Sequence, residues 1–181
     1  AAMQRLFLFD PTLGGESTAE RKLIFFHPAS TATQAQVKEV GLCEALVNFM
    51  KTFDKTGAFE GMQTRLQRYI FAQPEPNLWF VLVVEASGAS AAGDTSPVGS
   101  RRRNNAGTPK EDTPEAGEEQ VSDVAPRALL ERVYEMLRMC CGPLQAISST
   151  RGPEELRSVL DELLPLILQA LRATGEDDTS S

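Results

Sequence analysis

The sequence predicts a mixed α/β (α+β) domain in three layers: a mainly antiparallel sheet of about five strands, one helix on one face and two helices on the other. Short runs rich in phenylalanine and valine predict the strands. These runs do not alternate apolar with polar residues, which indicates a sheet covered on both faces. Long amphipathic stretches that could cover it occur once in the first third of the chain and twice towards its end.

Four segments are typical of strands. "RLFLFDP" and "RKLIFFHP" resemble each other, and each ends in a proline. The polar stretch between them contains Gly14-Gly15, so the two runs predict a hairpin. "QTRLQRYIFAQ" and "LWFVLVVEA" follow, with "PEPN" as the turn between them. A fifth strand is weakly marked and is predicted either near Ala58–Thr64 or near Glu119–Val124.

Three segments predict helices. The first runs from about Gln34 to Phe53. "APRALLERVYEMLRMCCG" predicts a second helix that ends at Gly142-Pro143. "PEELRSVLDELLPLILQALRA" predicts a third, which begins at Pro153 and should be kinked at Pro165. The apolar face predicted for the second helix consists of Leu129, Leu130, Val133, Met136, Leu137 and Cys140.

Composition divides the chain. Residues 1–86 and 124–174 carry the apolar segments and are predicted to form a single domain. Residues 87–123 are Gly, Ser, Pro and charged residues with almost nothing apolar, so we predict a disordered acidic insertion. Residues 175–181 predict a flexible tail. Three serine or threonine residues of the insertion precede a proline and are possible phosphorylation sites: Ser96, Thr108 and Thr113.

Charge and composition exclude several partners and locations. The formal net charge of −7 argues against nucleic acid and against direct binding to anionic membranes. No apolar run approaches the roughly 20 residues that cross a bilayer, and the N-terminal segment lacks the features of a signal peptide. The three cysteines are odd in number and lie in helical sequence, which predicts reduced thiols and a cytoplasmic chain.

We predict no catalytic residue, metal site or cofactor. His27 is the single histidine and, before Pro28 at a strand end, is interpreted as an edge or turn residue. Cys140-Cys141 lacks a zinc-type spacing, so the cysteines are interpreted as core residues, as is Trp79. Gly14-Gly15 matches neither phosphate-binding glycine pattern.

The first helix has more apolar surface than one buried face requires. At about 100° per residue, the apolar side chains of "VGLCEALVNFMKTF" cover roughly half of its circumference, whereas one stripe needs little over about 100°. We expect Cys43, Leu46 and Met50 to face the sheet. The remainder contacts either another protein or the chain's own flanking loops, and the pattern alone leaves both possibilities open.

Four stretches carry a resemblance to longin domains: "FHP" at Phe26–Pro28, "VGLCEALVNFMKTF", "YIFAQPEPNLWFVLVV" and "LLERVYEMLRMC". In order and spacing they are most similar to the first longin domain of the Ccz-one type. This is the vacuolar fusion subunit of the Mon-one/Ccz-one complex, a tri-longin guanine-nucleotide exchange factor for a late-endosomal Rab GTPase. Inturned belongs to the same wider family. This sequence holds one such domain where the family carries three.

The resemblance implies a non-enzymatic binding domain in vesicle-mediated transport. It implies a heterodimer with a Mon-type longin subunit, contact with a Rab-family GTPase, and an indirect, peripheral association with late-endosomal, vacuolar or lysosomal membranes. It also favours another protein over the chain's own loops as the contact for the remaining apolar surface, with five partner-binding residues: Gly41, Leu42, Ala45, Asn48 and Phe49. The alternative is a longin-type trafficking adaptor or SNARE-regulatory domain without exchange activity.

Overall fold

The computed structural model describes residues 3–14, 19–53, 61–86 and 124–176. Its centre is a five-stranded sheet in the order β2-β1-β5-β4-β3, in which every neighbouring pair is antiparallel. The predicted hairpin of the first two strands is confirmed, and the fifth strand occupies the first of its two predicted positions. The strands are β1 Met3–Phe9, β2 Leu23–His27, β3 Gly61–Gln63, β4 Gln67–Glu75 and β5 Leu78–Glu85.

The described helices form the outer layers. Their bounds are α1 Ala19–Lys22, α2 Thr33–Phe53, α3 Val124–Cys141, α4 Leu144–Arg151 and α5 Pro153–Glu176. The long helix α2 packs on one face of the sheet, whereas α3, α4 and α5 pack on the other. The three-layer prediction is therefore confirmed, with α1 and α4 added. Gly142 precedes α4 and Gly152 ends it. Their φ angles are 82° and 94°, in a region that glycine adopts more readily than other residues.

The apolar strands supply two cores because successive side chains point to opposite faces of a sheet. On β1, Leu6 and Leu8 face the three-helix layer, while Phe7 and Phe9 face α2. Phe7 lies opposite Phe26 of β2, and their rings stack with centroids 5.2 Å apart. The continuous apolar runs of the sequence thus correspond to a sheet that is buried on both sides.

One position on the predicted apolar face of α3 is wrong. Cys140 was placed on that face, but the structure exposes it to solvent. The buried stripe runs through Leu130, Val133 and Leu137 and continues to Cys141, whose Sγ lies 3.1 Å from the carbonyl oxygen of Leu137. Helix spacing allows either residue, because Cys140 follows Leu137 by three positions and Cys141 by four; the packing at this end of α3 covers the side of Cys141.

Glu75 joins the end of β4 to the start of α4. Pro143 precedes α4 and provides no side-chain cap. The buried Glu75 carboxylate caps α4 instead. Its Oε1 accepts a hydrogen bond from the Leu144 backbone N–H at 2.8 Å, and its Oε2 accepts one from the Gln145 backbone N–H at 2.6 Å. Oε1 also accepts from the Tyr134 hydroxyl at 2.8 Å. One carboxylate therefore holds α3, α4 and the sheet together, at the N-terminal helix end where negative charge is favoured.

Several sequence predictions lie outside the described residues. The insertion at 87–123 is one, together with its possible phosphorylation sites Ser96, Thr108 and Thr113, and these stay predictions. Helix α5 reaches Glu176, two residues into the segment predicted as the tail, and residues 177–181 are again outside. Pro165 lies inside α5, and the kink predicted there stays a prediction.

Replacing Glu75 tests its structural role. Glu75→Ala leaves two backbone N–H groups of α4 and the Tyr134 hydroxyl without their acceptor, so the free energy of unfolding should fall by about 2–4 kcal/mol. Denaturant unfolding measures this change. Glu85→Ala, at an exposed carboxylate on β5, is the control and should change stability by under about 0.5 kcal/mol. Equal losses in the two variants would contradict the assignment.

Candidate protein-interaction surface

One side of α2 packs tightly on the sheet. Val40, Cys43 and Val47 are almost completely buried against aromatic and aliphatic residues of the strands. Leu46 is half-buried and packs beside this cluster, and Met50 is also half-buried. The sequence predicted Cys43, Leu46 and Met50 as the centre of the contact. The structure shifts that centre towards Val40 and Val47 and places Leu46 and Met50 on its flank.

The opposite side of α2 carries the five residues predicted to bind a partner, which we name the outer strip: Gly41, Leu42, Ala45, Asn48 and Phe49. Leu42 is 46% exposed and Phe49 is 59% exposed, and both Ala45 and Asn48 are exposed. A Cβ atom added to Gly41 would meet nothing within 4 Å. At about 100° per residue the five positions share an arc of about 120° directed away from the sheet. Their role in binding stays a prediction at this point.

The two charged residues of α2 that lie within or just after the outer strip contact other parts of the domain. Between Gly41 and Thr52 these are Glu44 and Lys51. The carboxylate of Glu44 pairs with the buried Lys22, at 2.8 Å from Nζ to Oε1. Lys51 lies over the ring of Trp79, with Nζ 5.7 Å from the centroid. Both side chains point to the same flank of α2, so the charge nearest the outer strip is that of the exposed Lys38, one turn before Gly41 and Leu42.

Sequence reasoning missed this arrangement. The spacing of Glu44 and Lys51, seven residues apart, could have shown that they share one flank of the helix. No sequence signal identified Lys22 as a buried partner, because it follows Arg21 at the end of the short α1 and reads as a surface residue.

A polar network lies under the N-terminal half of α2. Arg5 of β1 pairs with Glu39 at 3.2 Å and donates to Gln67 Oε1 at 2.8 Å. Two buried atoms of this pair, Arg5 Nε and Glu39 Oε2, have no hydrogen-bond partner. Burial, and then the charge of Glu39, raise the pKa of the Cys43 thiol to about 12. Cys43 therefore stays protonated at neutral pH, and a protonated thiol is a poor nucleophile and metal ligand.

The other residues considered from the sequence have structural positions. His27 ends the edge strand β2 and is half-buried, and burial followed by the charge of Arg172 lowers its pKa. Trp79 is buried on β5, as predicted, although its indole N–H has no partner. Within the described ranges, His, Cys, Asp and Glu side chains nowhere gather in threes that could hold a metal ion. In the same residues, no helix has the length and hydropathy to cross a bilayer.

Comparison with known proteins identifies the fold. The sequence-family model described as the first longin domain of INTU, CCZ1 and HPS4 matches residues 3–142, which include all five strands, α2 and α3. The chain belongs to this longin family. The family resemblance and the fold class predicted from the sequence are thereby confirmed. In this longin domain, α2 is the single long helix on its face of the sheet among the described residues.

Full-length relatives of the longin domain are similar over most of this chain. The vacuolar fusion protein CCZ1 homolog of Tetraodon nigroviridis is 31% identical over 172 residues, which is 94% of this chain and 33% of that protein. The homolog of Danio rerio is 30% identical and that of Nematostella vectensis 28% identical, each over 172 residues. The chain spans about a third of the length of these curated relatives.

The two sides of α2 should respond differently to substitution. Val47→Ala removes buried methyl groups and should lower the free energy of unfolding by about 2 kcal/mol. Ala45→Arg adds a good helix former at an exposed position and should change it by under about 0.5 kcal/mol. Thermal melts of the free domain compare the two. Unfolding of the Ala45→Arg variant would mean that the outer strip is part of the core.

Proposed function

We propose that this longin domain is part of a Rab guanine-nucleotide exchange factor subunit, in which it pairs with a Mon-type longin subunit and contributes to binding of the GTPase. Membership of the INTU, CCZ1 and HPS4 longin family supports the proposal, as do relatives named vacuolar fusion proteins. The cellular process is membrane trafficking to the late endosome, vacuole or lysosome. The protein acts from the cytoplasm and reaches the membrane through its complex.

The observation that carries the proposal is the outer strip of α2. Gly41 and Ala45 have little or no side chain, so a second backbone can approach α2 closely there. Leu42 and Phe49 provide the large apolar contacts that dominate protein interfaces. A helix that packs on its own sheet and on a partner needs apolar surface on both sides. This accounts for the wide apolar arc of the sequence.

Exchange by such a domain requires binding energy and no covalent chemistry. A protein that binds the nucleotide-free GTPase more tightly than the GDP-bound form shifts the equilibrium towards nucleotide release. The shift is limited by the difference between the two affinities. Helix α2 suits this task because its position is held by the buried Val40, Cys43 and Val47 and by the Lys22–Glu44 ion pair. A surface fixed in this way loses little conformational entropy on binding.

Binding measurements on a matched pair of arginine variants test the surface. Ala45→Arg should weaken association with the Mon-type subunit or the Rab GTPase at least about tenfold, because a guanidinium would be desolvated at a close contact. Ala128→Arg, at an exposed position on α3 across the sheet, should leave affinity unchanged. Wild-type affinity of Ala45→Arg would contradict the role of the outer strip. Association with coat or SNARE proteins instead would favour the adaptor function.

Nucleotide release separates binding from exchange. We expect the domain alone to leave the rate of fluorescent-GDP release from a late-endosomal Rab GTPase unchanged, because the second longin subunit supplies the rest of the composite surface. A complex of that subunit with a full-length relative of this domain should accelerate GDP release. If the isolated domain accelerated release as much as a full complex, the requirement for a heterodimer would be wrong.

A further inference from the structure

A cavity of about 350 Å³ lies on the three-helix side of the sheet, far from the outer strip. It is found at the end of the sheet where β1 begins, between the first turns of α3 and the last turns of α5. Its described lining consists of four apolar residues and one cation: Met3, Leu129, Leu168, Leu171 and Arg172. The proposed function does not use this cavity.

An irregularity in β1 directs Met3 into the lining. The pairing of β1 with β5 shifts between Met3 and Arg5, where Met3 lies opposite Val84 and Arg5 opposite Val83. Strict alternation would place Met3 on the α2 side together with Arg5 and Phe7. The extra residue shifts the alternation of side chains between the two faces, so Met3 packs against the core of the three-helix side.

Leucines from two helices form the walls. Leu168 is nearly fully buried in α5, and Leu129 of α3 and Leu171 of α5 are half-buried beside the same core. Their methyl groups are already held by packing, so the shape of the cavity is formed before any ligand enters. Its volume is within the range of small-molecule pockets, which are mostly apolar with a few polar groups that orient the ligand.

Arg172 supplies the polar group. It is exposed on α5 at the cavity. In the part of the chain that the structure describes, five ion pairs join other basic residues to carboxylates, and none of them involves Arg172. A guanidinium binds a carboxylate through two parallel hydrogen bonds, which fixes both the position and the orientation of the anion.

We propose that this cavity binds a single-chain aliphatic carboxylate, with the hydrocarbon chain against Met3 and the leucines and the carboxylate on Arg172. Burial of each methylene adds to the affinity, so the hydrocarbon chain supplies most of the binding energy and the ion pair selects the charged end. A cavity of this size suits one hydrocarbon chain. The ligand is therefore a monomeric fatty acid and not a two-chain membrane lipid.

Calorimetric titration of the 181-residue chain with dodecanoate, below its micelle concentration, tests the proposal. We expect saturable binding of one molecule per chain. Arg172→Met keeps the apolar stem and removes the charge, so it should weaken dodecanoate at least about tenfold. Arg151→Met, at an exposed arginine on α4, is the matched control and should bind as the unchanged chain does. Thermal melts confirm that each variant is folded.

An uncharged ligand separates the ion pair from the apolar contact. Dodecanol should bind the unchanged chain and Arg172→Met with affinities within about twofold of each other, because it forms no ion pair. Three results would overturn the proposal: no saturable binding of dodecanoate, equal dodecanoate affinity in Arg172→Met and the unchanged chain, or binding only to phospholipid vesicles. None of these results depends on the longin partner or the GTPase, so the proposed function is tested separately.

Discussion

A sheet that is apolar on both sides is the constraint on which the rest of this longin domain depends. Because β1 sends Leu6 and Leu8 to one face and Phe7 and Phe9 to the other, each face must be covered by helices. Among the described helices, three pack on the first face, and α2 is the single long helix on the second. A helix alone on its layer has one side against the sheet and the other directed outwards, where a partner can reach it.

Two charged side chains of α2, Glu44 and Lys51, contact other parts of the domain on one flank of the helix. Glu44 is held by the buried Lys22, and Lys51 lies over Trp79. These contacts hold both charges on one flank of α2, away from the outer strip, whose nearest charge is that of the exposed Lys38. The half-buried pair of Arg5 and Glu39 differs in that one buried atom of each residue lacks a hydrogen bond, which costs desolvation energy. We expect the Arg5–Glu39 ion pair to fix the position of α2 on the sheet more than to raise the free energy of unfolding.

The three-helix side is organised by one carboxylate and one irregular strand. Glu75 reaches from the end of β4 to cap α4 and to bind Tyr134 of α3, which sets the path of the chain between α3 and α5. The bulge of β1 turns Met3 towards the same layer. Both features depend on residues far apart in sequence, and together they define a layer that carries its own cavity, separate from α2.

The sequence by itself determined the kinds of elements, the first hairpin, the three layers and the wide apolar arc of α2, because these follow from local periodicity and from apolar runs. It also identified Gly41, Leu42, Ala45, Asn48 and Phe49 as a common face. Only the tertiary structure decided which cysteine of α3 turns outwards, how α4 is capped and where the charges of α2 are held. The physical reason is distance along the chain: Glu75 and Leu144 are 69 residues apart, and Lys22 and Glu44 are 22 apart. Local patterns carry no information about such contacts, which exist only after the sheet has assembled.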